Sequence, residues 1–579
     1  MKSNKYFQDE LSYLHESGEE FAKHHPQLSH FLSESSRDPD VERLLEGFAF
    51  LTGRLRQTID NDLPQVTETL MNLLWPHYLR SVPSMCIVEM TPNTGSITEK
   101  TTVESGCQVQ SALVEDTHCV FETCYDVDLH PLTLNSVAQH NSRNSATLEL
   151  LFGCDKNVEL SAINLETLRL FINGERHITR QIYFWLFRYL EAIEVTVGDT
   201  VKTLDITAIQ PVGLKSNDGL LPYSANCFSG YRLLQEYFSL PEKFLFFDIH
   251  NLGWIREYPQ NKTFKITFKF SRPFPAEVKV KDKHFKLHCS PAVNLFEMDG
   301  DPIRFDKKRT EYRVRPQSSN QEHFEVYSVD EVTSWDTQSR SKSSYIPFET
   351  FEHHAINDKN KYYKTRVEES ICGRRLENYI SFYSHKNEAS LSSESVLLKL
   401  TCSNGTLAER LAIYDINIAT HRSTSVAELT NITKPTPSVS PRVDNRLHWQ
   451  LISNMSLNYT SLINVSVLRS LLSAYDFQSQ VDQQALRSSQ QRLAGIEDIS
   501  MKPVDKIFRG YPVRALHVLL TMNSSYFPSE GEMFLFATVL SEFFRLYSSI
   551  NSSVEFEVRD KATGESYRWD NKQGIQAVL

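Results

Sequence analysis

The chain lacks the short glycine-containing motifs that mark several common enzyme classes. Only 20 of its 579 residues are glycine, and no G-x-G, G-x4-G-K or G-x-S-x-G occurs. These motifs shape dinucleotide sites, phosphate loops and the nucleophile elbow of hydrolases. We therefore predict that the chain is not an enzyme. A β-rich carbohydrate-active enzyme stays open as an alternative, because its paired carboxylates need not be neighbours in sequence.

Cysteine is scarce and irregularly placed. There are nine cysteines, an odd number, and no C-x-x-C spacing. This pattern is not typical of a zinc site or a disulfide framework, and it fits reduced thiols in a cytoplasm. We expect no metal and no cofactor. The N-terminus has no apolar signal region and no apolar run is long enough to span a membrane, so we predict a cytoplasmic protein without a membrane span.

A strong net charge is also lacking. The formal charge is −11, which argues against a nucleic-acid partner. One region departs from this balance, since residues 254–316 contain 15 basic and eight acidic residues. Within it, TFKITFKF alternates apolar and mostly cationic residues and predicts a half-buried antiparallel strand. A solvated sheet face is the simpler interpretation of these cations, and a surface for an acidic partner is the alternative.

What is abundant near the N-terminus is helical periodicity. The segment DPDVERLLEGFAFLTGRLRQTID places Leu44, Phe48, Leu51, Leu55 and Ile59 at i, i+3, i+4 and i+7 spacing. Three amphipathic helices over about 80 residues form a thin bundle. The apolar stripe either packs on the rest of the chain or is covered by a partner.

From residue 85 onward, strand-like runs predominate. Phe 34, Tyr 24 and Trp 6 are plentiful, as is typical of strands with large side chains. We predict an α+β fold with an N-terminal helical segment and a β-rich, mainly antiparallel, multi-domain body. The expected segments are 1–82, a helical bundle; 83–332, β-rich with a helix near 178–192; and 333–579, mixed α/β.

Residues 294–316, NLFEMDGDPIRFDKKRTEYRVRP, are unusually rich in charge. They contain five acidic and six basic residues. We predict a turn and a strand placed by ion pairs. Four basic residues are expected to meet Asp301, Asp306 and Glu311, or carboxylates of a partner: Arg304, Lys307, Lys308 and Arg309.

The same segment, read on through FEVYSVDEV, resembles the TssF family of type VI secretion system baseplate subunits. LLWPHYLRSVPSM, LHWQLISNMSLNY, LRSLLSAYDF, GYPVRALHVLL and EMFLFATVLSEFFRLYSSINS agree with the family in the same order. The resemblance spans essentially the whole chain. Two places depart from the family pattern, LTCSNGTLAERL and Ser553.

The resemblance implies a structural scaffold similar to the wedge proteins of contractile-phage baseplates. It implies wedge complexes that surround the spike and support assembly of the tube and sheath at the membrane-proximal baseplate. Implied partners are TssG, a second TssF copy, TssK, TssE, the VgrG spike and possibly tube and sheath components. A wedge protein of a phage tail or another contractile injection particle is the alternative. The candidate partner-facing residues are Leu44, Phe48, Leu51, Leu55, Ile59, Trp75, Arg304, Lys307, Lys308 and Arg309.

Overall fold

The structure is a computed structural model in which most of the chain is described. The described residues are 7–15, 17–18, 39–62, 71, 76–93, 95–155, 158–223, 228–305, 309–336, 342–348, 361–370, 376–384, 394–441, 464–508, 511–548 and 552–574.

Helices occur at the N-terminus, in the middle of the chain and towards its C-terminal end. They are α1 (residues 7–15), α2 (Pro39–Asp62), α3 (Arg176–Phe184), α4 (Ser229–Ser239), α5 (Val465–Tyr475), α6 (Phe477–Val481), α7 (Gln483–Ala494) and α8 (Glu530–Tyr547).

Strands make up most of the described body. The first fifteen are β1 (Met85–Pro92), β2 (Thr101–Val103), β3 (Gln108–Val114), β4 (Thr117–Thr123), β5 (Val127–Leu129), β6 (Leu132–Asn141), β7 (Ala146–Cys154), β8 (Thr167–Ile172), β9 (Leu190–Val197), β10 (Thr200–Leu204), β11 (Ile209–Pro211), β12 (Phe246–His250), β13 (Thr263–Phe270), β14 (Phe285–Lys286) and β15 (Cys289–Val293). The others are β16 (Phe296–Asp299), β17 (Ile303–Phe305), β18 (Tyr312–Arg313), β19 (Glu325–Asp336), β20 (Lys342–Pro347), β21 (Lys361–Glu369), β22 (Leu376–Ser384), β23 (Glu394–Ser403), β24 (Ile416–Ala419), β25 (Ala427–Asn431), β26 (Ile496–Phe508), β27 (Tyr511–Met522), β28 (Ser553–Asp560) and β29 (Ser566–Gln573).

These strands form several sheets. One follows the order β24-β3-β4-β15-β1-β25, a second β10-β9-β13-β7-β6 and a third β11-β12-β8-β14. The largest runs β16-β23-β19-β20-β21-β22-β18 with β17 also on β23, the last runs β26-β27-β28-β29, and β2 pairs with β5. Among the described strands only β20–β21 and β27–β28 pair in parallel. The predicted α+β, mainly antiparallel body is confirmed.

The helix expected near residues 178–192 is shorter than predicted. Helix α3 ends at Phe184, a π-helical turn continues to Tyr189, and strand β9 begins at Leu190. Strand β9 has the sequence LEAIEVTV, whose β-branched residues recur at every second position and face the core. From Leu190 onward the buried residues alternate as in a strand, so the helix predicted up to residue 192 ends earlier.

Distant parts of the chain share sheets and cores. Strand β19 runs through residue 332, and β25 pairs with β1 although more than 330 residues separate them. The rings of Phe184 on α3 and Phe534 on α8 lie 5.1 Å apart in the largest apolar core. The division into three segments stays a prediction, while the sheets combine strands from both sides of residue 332.

Candidate interaction surface

Helix α2 exposes large apolar side chains along one face. Leu44, Phe48 and Leu51 are 73%, 57% and 60% exposed, respectively. Their spacing of four and three residues puts them on one face of the helix, and we call them the α2 stripe. A stripe of this kind normally packs on a core. Here the described part of the chain leaves it largely open to solvent.

The opposite side of α2 carries small residues instead. Ala49 and Gly53 lie one helical turn apart, and both are buried. Small side chains let a helix approach its neighbours closely, but they bury little apolar area. Helix α2 thus lies against the chain through its small residues and directs its large ones outwards. This arrangement leaves the three side chains of the α2 stripe available to another subunit.

The other predicted partner-facing residues are only partly described. Leu55 and Ile59 continue α2, but their side chains lie outside the described part, as do Trp75, Lys307 and Lys308 altogether. Arg304 lies opposite Ser395 on β23 and is exposed, as is Arg309. Within the described residues, neither arginine forms an ion pair.

Two acidic residues of segment 294–316 have partners outside the segment. The Glu311 carboxylate lies 2.9 Å from the Arg366 guanidinium, which sits over the ring of Tyr379. Asp301 accepts a hydrogen bond of 2.7 Å from the side chain of Gln321. Glu311 and Asp301 are therefore not paired with Arg304 or Arg309, and the Glu311 pair is set by sheet register, which brings β18 and β21 to either side of β22. Asp306, Lys307 and Lys308 lie outside the described residues, and pairing of the two arginines with carboxylates of a partner stays a prediction.

The cationic face of β13 is neutralised within its own sheet. Lys265 Nζ lies 3.3 Å from Glu149 on β7, and Lys269 Nζ lies 2.5 Å from Glu194 on β9. Strand β13 pairs with both of these strands, and Glu149 and Glu194 each lie directly opposite Thr267. The two lysines therefore reach these glutamates diagonally across the ladder. The simpler interpretation, a solvated sheet face, accounts for these lysines.

A buried ionic cluster fixes the helices of the body. Arg176 Nη2 lies 2.5 Å, Arg180 Nε 3.2 Å and Arg492 Nη2 3.7 Å from the Glu532 carboxylate. Burial raises the pKa of Glu532, but the charge of Arg180, the hydrogen bonds of Arg176 and the charge of Arg492 outweigh this and lower it to about 2. One carboxylate at the start of α8 therefore joins α3 and α7.

Gly531 makes this approach possible. A Cβ atom at this position would lie 2.4 Å from the carbonyl oxygen of Arg180. Helices α3 and α8 thus pack backbone against backbone at this point. Sequence analysis missed the cluster, because Arg176 and Glu532 are 356 residues apart. The run Glu530-Gly531-Glu532 at the start of α8 is the local feature of the sequence that could have indicated an ionic site.

A polar cavity of about 450 Å³ is lined by four aspartates, Asp126, Asp128, Asp218 and Asp248. Each acid is engaged by the chain itself. Asp128 pairs with Lys100 at 2.7 Å, Asp248 receives two hydrogen bonds from Arg169, and Asp126 accepts from the Ser105 amide. These carboxylates position strands and loops around the cavity.

Two buried histidines border the same cavity. Burial lowers the pKa of His130 to about 4 and that of His288 to about 3, so both imidazoles are neutral near pH 7. His288 Nε2 accepts a hydrogen bond from the His130 backbone amide. Across the described ranges, no three His, Cys, Asp or Glu residues converge with the geometry of a metal site. No helix in those ranges is long and apolar enough to cross a lipid bilayer.

Comparison with known proteins identifies the family. The family model "Type VI secretion system, TssF" matches residues 2–576. The type VI secretion system component TssF1 of Pseudomonas aeruginosa is 28% identical over 627 aligned positions, which cover 99% of each chain.

Two solved structures share the fold. A chain in the cryo-electron-microscopy structure of the type VI secretion system TssK-TssF-TssG baseplate subcomplex is 28% identical, with a TM-score of 0.77, covering 92% of this chain and 99% of that one. A chain in the type VI secretion baseplate complex is 25% identical, with a TM-score of 0.67 and full coverage of both. The chain belongs to the TssF family and is a structural component of the type VI secretion system baseplate.

Proposed function

We propose that the chain joins its baseplate partners through the α2 stripe. The supporting observation is the exposure of Leu44, Phe48 and Leu51 on a helix whose buried side carries small residues. Covering three such side chains contributes roughly 4–9 kcal/mol, enough to hold a stable interface. The chain acts in this proposal by contact, and no reaction takes place on it.

The proposed occupants of the stripe are helices of TssG and of a second TssF copy. Support comes from the solved TssK-TssF-TssG subcomplex, in which a chain of the same fold is a subunit. In this assembly the β-rich body, held rigid by the Glu532 cluster, carries the helix to its partner. Wedges of this kind would surround the spike, contact TssK, TssE and VgrG, and support the growth of tube and sheath.

The proposed location is the cytoplasmic side of the membrane-proximal baseplate. The seven described cysteines form no disulfide with one another, and five of them are buried. Unpaired thiols are typical of proteins that work in a reducing compartment. This observation supports the proposed location.

Site-specific photo-crosslinking tests the proposed occupants. A benzoylphenylalanine at Phe48 is expected to crosslink to TssG or to a second TssF copy when the chain is co-expressed with TssG and TssK of the same bacterium. The same probe at Val201, an exposed apolar residue on β10, is the matched control and should give no such product. Crosslinks at Phe48 only within the same chain would contradict the proposal.

A further inference from the structure

Two adjacent turns at one end of the six-stranded sheet have unusual backbone conformations. Five non-glycine residues of the described chain have positive φ, and three lie here: Glu115 at 48°, Asp116 at 63° and Tyr414 at 73°. Glu115 and Asp116 form the turn between β3 and β4, and Tyr414 precedes β24. A bulky residue with positive φ is uncommon and strained, and such residues cluster at functional sites.

The backbone around Tyr414 is held firmly. The Tyr414 amide donates to the Asn431 carbonyl at 3.0 Å, and Asn417 Nδ2 donates to the Tyr414 carbonyl at 3.0 Å. The Ala412 amide donates to Asp415 Oδ2 at 2.8 Å. The first two bonds use the backbone of Tyr414, the third joins its neighbours, and none uses its ring. A glycine could make all of them without strain.

The side chain of Tyr414 gives no compensation inside the chain. It is 63% exposed. Within the described residues its ring stacks on no other ring and its hydroxyl makes no hydrogen bond. The fold therefore holds a tyrosine at a position that suits glycine, with the ring directed into solvent. The ring is therefore available for a contact with another molecule.

Neighbouring residues extend the exposed ring into a small apolar surface. The Ala112 amide donates to the Asp415 carbonyl at 2.8 Å, which brings Leu113 next to the Tyr414 turn. Leu113 and Ile413 are both exposed. We call Leu113, Ile413 and Tyr414 the β3–β24 knob.

The charges around the knob are mainly acidic. Glu115, Asp116 and Asp415 lie in the two turns. Arg410 is bound to Glu115, and the His323 ring lies 3.9 Å from the same carboxylate, which leaves Asp116 and Asp415 as the acidic margin of the knob. Acidic margins around an apolar centre are complementary to a cleft whose rim carries Lys or Arg. A rigid aromatic side chain loses little entropy on burial, so it suits the centre of such a contact.

We infer that the β3–β24 knob is a second docking surface, which inserts Tyr414 into an apolar, basic-rimmed cleft on another baseplate subunit. The inference rests on the proposed assembly role but not on the α2 stripe. A second copy of this chain and a purely structural role for the tyrosine are the competing explanations, and the experiment below separates them.

Tyr414→Gly is the decisive variant, because stability and binding should change in opposite directions. Relief of the backbone strain is expected to raise the melting temperature of the purified chain by about 2 °C. Loss of the ring is expected to weaken the complex with TssG and TssK of the same bacterium by about tenfold to thirtyfold. High salt should weaken the complexes of wild type and variant alike, because the acidic margin that it screens is present in both.

Tyr526→Gly is the matched control, since Tyr526 is also exposed but has an ordinary φ. It should not raise the melting temperature or change the complex. Unchanged affinity of Tyr414→Gly for TssG and TssK would overturn the inference. So would a lower melting temperature, which would give the ring a structural role, or a change confined to self-association in sedimentation. Because Leu44 and Leu51 are intact in this variant, failure here is separate from failure of the α2 proposal.

Discussion

Replacing both Leu44 and Leu51 with aspartate is expected to release the chain from TssG and its second copy while leaving its fold intact. Both side chains are more than half exposed in the isolated chain, so a carboxylate at either position stays hydrated there. In an assembly that covers the stripe, the same two carboxylates would be buried without partners. An uncompensated buried charge costs several kcal/mol, which is comparable to the whole contribution of the stripe.

Co-purification with tagged TssG measures the release, and circular dichroism measures the fold. Wild-type chain should elute with TssG, and the double variant should elute alone with a melting temperature within a few degrees of wild type. Leu486→Asp on α7 is the control, because it places the same charge on another exposed helical leucine. A double variant that still elutes with TssG would show that the stripe is not the contact.

The second large effect is expected inside the body, at Glu532. Glu532→Gln keeps the shape of the side chain but removes the carboxylate charge shared by Arg176, Arg180 and Arg492. Glu242 remains, but it is farther from Arg180, at 3.8 Å. Arg180 is 1% exposed, so its charge cannot be hydrated instead. Removal of one partner from a buried ion pair costs about 3–5 kcal/mol. We expect the melting temperature to fall by roughly 3–4 °C for cooperative unfolding of the whole chain.

Glu331→Gln is the matched control for this prediction. Glu331 pairs with Lys399 at 2.8 Å on the surface, where both side chains are well exposed. Exposed pairs of this kind contribute about 0–1 kcal/mol, so the control should melt close to wild type. Equal shifts for the two variants would mean that the buried cluster contributes no more than a surface pair.

Acid sensitivity gives the Glu532 cluster an independent signature. The pKa of the Glu532 carboxyl lies at about 2 in the folded chain and near the ordinary 4.5 in the unfolded chain. The stabilisation is therefore complete above the unfolded pKa, and it is lost as the pH falls from 4.5 towards 2. Unfolding free energies measured over that window should fall more steeply for wild type than for Glu532→Gln. Parallel curves would contradict the assignment.

Local pattern was enough to predict some elements of this fold. The alternation in TFKITFKF gave β13, and the heptad-like spacing after Asp38 gave α2, because each depends on neighbours within two turns or a few residues. The predicted end of helix α3, residue 192, lies beyond the start of β9 at Leu190, because no polar turn separates the apolar residues of α3 from those of β9.

Long-range partners could not be predicted from one sequence. Nothing near Glu532 or Glu311 identifies Arg176 or Arg366 as the opposite charge, because sheet order and register decide which residues meet. The same holds for the direction of the α2 stripe. Helical spacing shows that Leu44, Phe48 and Leu51 share a face, but only the structure shows that this face is open while Ala49 is buried.

Amide hydrogen exchange over residues 39–53 tests the central claim most directly. An isolated chain leaves the α2 stripe uncovered, so the helix should open often and its amides should exchange readily. In the co-purified complex with TssG, the same amides should exchange at least tenfold more slowly, while β13 should exchange equally in both states. Identical exchange of residues 39–53 with and without TssG would contradict the account, because the stripe would then be covered by nothing in the assembly.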